Sequence, residues 1–73
     1  MNDRIVIDPA IHHGKPVIRG TRVPVHVLLG ALAGGDEIGQ VAEDYGVTRD
    51  DVRAAIEFAG GLVEQEEHHL LPV

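Results

Sequence analysis

The early part of this 73-residue sequence concentrates its positive charge in one short segment. Lys15, Arg19 and Arg22 follow one another with no acidic residue between them, and Gly14 and Gly20 lie beside them. Lysine and arginine neutralise phosphates, and glycine lets a backbone approach a phosphate closely. We therefore predict that this segment contacts DNA. The alternative is that these cations pair with the acidic body of a second subunit.

A second pair of cations occurs later in the chain, at Arg49 and Arg53. Residues four apart share one face of a helix, so both could reach the same DNA groove. Acidic residues at Asp50, Asp51 and Glu57 surround them, however. The pair is a second predicted DNA contact, with a solvated, salt-bridged helix face as the alternative.

Residues that support catalysis or metal binding are scarce. The sequence contains no Cys and no Ser, which removes the two common protein nucleophiles. Histidines occur as adjacent pairs at 12–13 and 68–69, but neighbouring residues point in different directions and no Cys completes a ligand set. We predict no catalytic residue, no metal, no cofactor and no small-molecule substrate.

Charge is unevenly distributed along the chain, whose net charge is -6. Residues 1–26 carry four cations against two acids, whereas residues 27–73 carry two cations against ten acids. A small chain with one Phe, one Tyr and no disulfide buries little surface, so we expect a partner to stabilise it. No apolar run approaches the roughly 18 residues of a membrane span, and no signal peptide opens the chain. These features predict a cytoplasmic protein without a membrane partner.

Residues 1–23 are predicted to form an extended arm. Two short β-branched runs end at turn-forming pairs, Asp8-Pro9 and Arg19-Gly20. Such short runs do not make a stable sheet alone, so they pair either with each other or with the same segment of a second chain. The predicted dimerisation residues are Ile5, Val6, Ile7, Val17 and Ile18.

From Pro24 the apolar spacing becomes helical. The first helix is predicted to begin with Pro24 at its first position and to end at Gly34-Gly35; the second has Asp36 as N-cap and ends at Gly46. The third begins after Thr48, with Asp51 completing a capping box, and Gly60-Gly61 weakens or ends it. The predicted core faces are Val25, Leu28, Leu29 and Leu32, then Ile38, Val41, Ala42 and Tyr45, then Val52, Ala55, Ile56 and Ala59.

The junction between the second and third helices is typical of a helix-turn-helix. Ala42 allows the helices to cross closely, Gly46 allows a left-handed turn, and Val52 anchors the next helix. We predict a mainly α fold, a three-helix helix-turn-helix bundle over residues 24–59 with a short N-terminal β arm. The alternative is a three-helix domain that needs the same glycine corner without binding DNA.

Residues 13–25 resemble the signature of the domain-of-unknown-function family 433, a bacterial family grouped with VapB-type antitoxins. The resemblance covers roughly residues 5–59. It implies a homeodomain-like three-helix fold, a dimer formed with the β arm, a PIN-like nuclease toxin as partner, and binding to operator DNA. A stand-alone helix-turn-helix regulator without a toxin is the alternative. The matching residues are Gly14, Lys15, Pro16, Ile18, Gly20, Thr21, Arg22 and Val25.

Residues 60–73 form the predicted tail, which combines acidic and apolar residues. Together with Phe58, its apolar side chains could anchor a toxin, and its acids could complement a basic toxin surface. A frayed, solvated end is the alternative. The predicted toxin-binding residues are Phe58, Leu62, Val63, Glu64, Glu66, Glu67, Leu70 and Leu71.

Overall fold

The structure is a computed structural model that describes residues 2–66. Two short strands, β1 (Ile5–Val6) and β2 (Val17–Ile18), precede three helices: α1 (Val25–Ala33), α2 (Ile38–Tyr45) and α3 (Arg49–Gln65). The prediction of a mainly α, three-helix bundle with a short N-terminal β arm is confirmed.

The arm folds back on itself. β1 and β2 pair antiparallel, with Ile5 opposite Ile18 and Val6 opposite Val17. The sequence left open whether the strands pair with each other or with a second chain, and in the described residues they pair with each other. β1 also packs against α3, which places Ile5 in the core.

Helix α1 begins one residue later than predicted, because Pro24 is its N-cap and not its first helical residue. Pro24 has an extended backbone (φ -72°, ψ 143°) and forms an isolated bridge with Val17. The Val25 amide donates to the Pro16 carbonyl oxygen at 2.9 Å. These contacts hold Pro24 as a continuation of the arm, so helical geometry starts only at Val25.

The N-cap of α2 is Glu37, so the prediction of Asp36 is wrong. The Asp36 amide donates to the Ala31 carbonyl oxygen at 3.2 Å, which makes Asp36 part of the turn that closes α1. The end of α2 is as predicted: Gly46 adopts a left-handed conformation (φ 67°), and its amide bonds back to the helix. A residue with a side chain adopts that conformation less readily, so glycine suits the corner.

Helix α3 runs through Gly60-Gly61 to Gln65, so the alternative in which it ends at the glycine pair is wrong. Each glycine costs about 1 kcal/mol relative to alanine in a helix interior, which weakens a helix without breaking its hydrogen-bond ladder. The predicted capping box at its start is present: Thr48 Oγ1 accepts from the Asp51 amide, and Asp51 Oδ2 accepts from the Thr48 amide, both at 3.0 Å.

The buried face of α3 differs from the prediction. Val52 and Ala55 are buried as expected, but Ala54 is buried in place of Ile56, which is 42% exposed. The arm explains why the buried face of α3 is turned toward Ala54. Asn2 lies on that side of the helix, where its Nδ2 donates to the Ala54 carbonyl oxygen at 3.0 Å. In α2, Tyr45 is 39% exposed and lies outside the core, so its place on the predicted core face is wrong.

Candidate partner-binding surfaces

The three predicted DNA-binding cations of the arm, Lys15, Arg19 and Arg22, are exposed. Arg19 Nε donates to the Asp3 carbonyl oxygen at 2.6 Å, which ties β2 to the residues before β1. Among the ion pairs of residues 2–66, none involves Lys15, Arg19 or Arg22. Their charges are therefore available to an anionic partner.

The first turn of α3 carries a cluster of paired charges. Arg4 Nη1 lies 2.9 Å from Asp51 Oδ1, and Arg4 Nη2 lies 3.9 Å from Asp50 Oδ2. Arg53 pairs with the other oxygen of Asp50 at 3.1 Å. Sequence reasoning placed Asp50 and Asp51 beside Arg49 and Arg53 but missed Arg4, because Arg4 is 47 residues away from Asp51 along the chain.

The acidity of Asp51, at the third position of α3, is shifted by its surroundings. Burial of the carboxyl opposes ionisation, but hydrogen bonds from the Thr48 amide, the Arg4 guanidinium and the Thr48 side chain outweigh it and hold the pKa of Asp51 below its ordinary value. The carboxylate thus serves the helix cap and the arm at the same time.

Replacement of Asp51 by Ala should lower the free energy of unfolding at pH 7 by about 1–2 kcal/mol, since the cap and the Arg4 partner are lost together. Because the folded-state pKa is depressed, this contribution is complete above the unfolded pKa near 4 and is lost as the pH falls through the folded value. Urea denaturation of both proteins across the acid range measures it. The difference between them should shrink below about pH 4.

Asp50→Ala is the matched control, because the Asp50 side chain is 66% exposed while that of Asp51 is 15% exposed. We expect a loss within about 0.5 kcal/mol for this variant. Equal losses for the two variants, or a difference that persists unchanged at low pH, would contradict the role assigned to Asp51.

Arg49, the first residue of α3, lies against α2. A Cβ atom built on Gly39 would come within 2.6 Å of Arg49 Nη2, so the side chain passes directly over this glycine. Among the ion pairs of residues 2–66, Arg49 takes part in none. The two predicted DNA contacts of α3 therefore differ: Arg53 is paired with Asp50, and Arg49 is not.

The last turns of α3 carry an exposed apolar surface. Phe58 is half-buried against the core, Leu62 is 48% exposed and Val63 is 65% exposed. Glu64 and Glu66 are exposed beside them. The other predicted toxin-binding residues, Glu67, Leu70 and Leu71, lie outside the described residues.

Phe58 and Leu62 separate two open grooves. One lies between α3 and the arm, and the other lies between α3 and the start of α1, with Lys15 and His26 among its lining residues. We call the apolar surface formed by the half-buried Phe58 with the exposed Leu62 and Val63 the apolar end of α3. Ile7 lines the first groove and is 49% exposed.

The five predicted dimerisation residues divide into two groups. Ile5, Val17 and Ile18 are each 1% exposed, because pairing within the chain turns them into the core. Val6 is half-buried and Ile7 is exposed. A second copy could thus reach the side chains of the last two without unfolding the arm.

Comparison with known proteins identifies relatives for this framework. Residues 5–59 match the model of a protein family described as "Protein of unknown function (DUF433)". The chain belongs to this family. One relative, "Putative antitoxin VapB45" from Mycobacterium tuberculosis, is 43% identical over 53 residues, which are 73% of this chain and 22% of the relative. The chain therefore spans about a fifth of that protein's length.

Two crystal structures share the DUF433 fold. That of a DUF433 member from Anabaena variabilis superimposes with a TM-score of 0.77 at 31% identity, over 88% of this chain and 64% of that one. That of Rv2018 from Mycobacterium tuberculosis gives a TM-score of 0.66 at 44% identity, over 71% of this chain and 24% of that one. Both identities are high enough to support a shared family as well as a shared fold.

The DUF433 match divides the candidate residues. All five predicted DNA-binding residues and Phe58 lie within residues 5–59, whereas Leu62, Val63, Glu64 and Glu66 follow the matched region.

Within residues 2–66, no group of three or more acidic or histidine side chains could hold a metal ion, and no helix has the length and apolarity needed to cross a membrane.

Proposed function

We propose that this protein is an antitoxin that neutralises a PIN-like nuclease toxin by direct binding and represses its own operon by binding operator DNA. The observation that carries the proposal is the apolar end of α3, where Leu62 and Val63 project beyond the core on a regular helix. Large exposed apolar side chains that are grouped together are characteristic of a protein-binding surface. The name of the Mycobacterium tuberculosis relative supports the antitoxin part of this proposal.

The toxin contact in this proposal is made by a helix, since α3 continues to Gln65. A preformed helix loses less conformational entropy on binding than a disordered segment does. Glu64 and Glu66 flank the apolar residues and would pair with a basic toxin surface, adding orientation and association rate.

Homodimerisation is the second part of the proposal, and we place its contact at Val6 and Ile7. The basic arm follows β1 in the chain, so a dimer would present two copies of Lys15, Arg19 and Arg22 to one DNA duplex. A two-fold symmetric dimer binds an operator whose two half-sites are related by the same two-fold symmetry.

The test is limited proteolysis with an endoproteinase specific for glutamate, with and without the product of the neighbouring reading frame. We expect the two proteins to co-purify, and cleavage after Glu64 to slow strongly in the complex. Cleavage after Glu43, which is exposed on α2, is the internal control and should not change. Unchanged cleavage after Glu64 would exclude the end of α3 as the toxin contact.

A stand-alone helix-turn-helix regulator is the second candidate. The observation that favours it is that the family match ends at residue 59, before Leu62 and Val63. Under this hypothesis the chain shifts its own promoter fragment with a steep salt dependence and does not co-purify with the neighbouring product.

A further inference from the structure

The side chain of Arg49 lies so close to Gly39 that a side chain at position 39 would displace it. A Cβ atom at position 39 would lie 2.6 Å from Nη2, 3.1 Å from Cζ and 3.3 Å from Nε of Arg49. The whole guanidinium group thus rests against the first turn of α2, where the absence of a side chain leaves space for it. α3 supplies the side chain, and α2 supplies the surface on which it lies.

The charge of Arg49 is left available by its neighbours. Asp50 is paired with Arg53 at 3.1 Å, and Asp51 is paired with Arg4 at 2.9 Å. The two acids that follow Arg49 in sequence are therefore satisfied by other cations. Arg4 reaches Asp51 because it directly precedes β1, and β1 packs against α3.

A guanidinium that takes part in no ion pair among residues 2–66 suits a phosphate group. Its planar set of donors can form two parallel hydrogen bonds to phosphate oxygens, and fixing the side chain in advance reduces the entropy lost on binding. In helix-turn-helix proteins the second helix enters the major groove while the first crosses the DNA backbone. If α2 and α3 bind DNA in this way, Arg49 would lie between the contact of α3 with the groove and the contact of α2 with the backbone.

We propose that Arg49 contacts a phosphate of double-stranded DNA and that Gly39 is the residue that positions it. The inference rests on the proposed DNA binding. It assigns a role to Gly39, which contributes no functional group, and it separates Arg49 from Arg53, whose guanidinium is paired with Asp50.

The test is fluorescence anisotropy with two labelled duplexes of about 30 bp, one from the region upstream of the gene and one scrambled, between about 50 and 200 mM salt. Arg49→Ala should weaken binding to both duplexes about tenfold and lower the slope of log affinity against log salt by about one. Gly39→Ala keeps the arginine but displaces it, and should weaken binding to both duplexes about threefold to tenfold. The double variant should bind no more weakly than Arg49→Ala, since both changes remove one contact.

Folding stability separates this role from a structural one. An added methyl group at Gly39 meets the flexible end of Arg49, and alanine favours helix more than glycine does, so the thermal midpoint of Gly39→Ala should not fall. Gly60→Ala is the matched control: it makes the same change in α3, where no neighbour among residues 2–66 lies within 4 Å of the added atom, and it should leave DNA binding unchanged.

The replacement of Lys15, Arg19 and Arg22 together by Ala separates the proposed DNA binding of the protein from the proposed role of Arg49 and Gly39 in it. This triple variant should weaken binding more than the replacement of Arg49 and Arg53 does. If the unchanged protein binds neither duplex, the proposed DNA binding fails and the role of Arg49 fails with it. If the triple variant weakens binding but Gly39→Ala and Arg49→Ala do not, only the inference about Arg49 and Gly39 is overturned.

Discussion

Leu62→Asp should weaken binding to the proposed toxin at least a hundredfold while changing the free energy of unfolding by less than about 1 kcal/mol. Leu62 is 48% exposed, so the domain gains little from its burial. It lines both grooves beside Phe58, so a protein bound there would enclose it. A charged group buried in an apolar contact without a partner is strongly unfavourable. Calorimetric titration with the product of the neighbouring reading frame measures the change.

Ile56→Asp is the matched control for this experiment. Ile56 is also on α3 and is 42% exposed, but it lines neither groove. We expect the affinity of this variant to stay within about threefold of that of the unchanged protein, because Ile56 lies outside both grooves. If the two variants bind equally well, or are weakened equally, the apolar end of α3 is not the specific toxin contact.

Leu28→Ala should lower the free energy of unfolding by about 3 kcal/mol, within the range of about 2–5 kcal/mol found for buried leucines. Leu28 is 0% exposed and lies in the core cluster formed by the arm and the three helices. A domain of this size has a total stability on the order of 3–9 kcal/mol, so the variant would lose a large fraction of it. Urea denaturation followed by circular dichroism measures the loss.

Leu62→Ala serves as the control for Leu28→Ala, since it removes the same atoms from a half-exposed position of α3. We expect it to cost less than about 1 kcal/mol. Losses of equal size would mean that the end of α3 belongs to the folding core, and the binding role given to Leu62 would then need another explanation.

Local features of the sequence predicted most of the fold. The capping box of Thr48 and Asp51, the left-handed corner at Gly46 and the end of α1 at Gly34 each depend on residues within one turn of each other. The signature around Lys15 also predicted the family. Such features depend on steric restrictions and hydrogen bonds between near neighbours, so a single sequence is enough to recognise them.

Predictions failed where a distant segment competed with a local preference. Pro24 remained extended because Val17 pairs with it, and Ala54 replaced Ile56 in the core because Asn2 covers that side of α3. The alternative that Gly60-Gly61 ends α3 failed for a different reason, since a helix tolerates a modest local cost.

The sequence by itself determined the three helices, the capping box of α3, the glycine corner, the family and the types of residue available for binding. Only the tertiary structure decided which of those residues are free to bind. It paired Asp51 with Arg4, placed Arg49 over Gly39, and buried Ile5, Val17 and Ile18 while leaving Leu62 exposed. The physical reason is that exposure and ion pairing depend on segments far apart in the chain, and burial of the shared core is what brings those segments together.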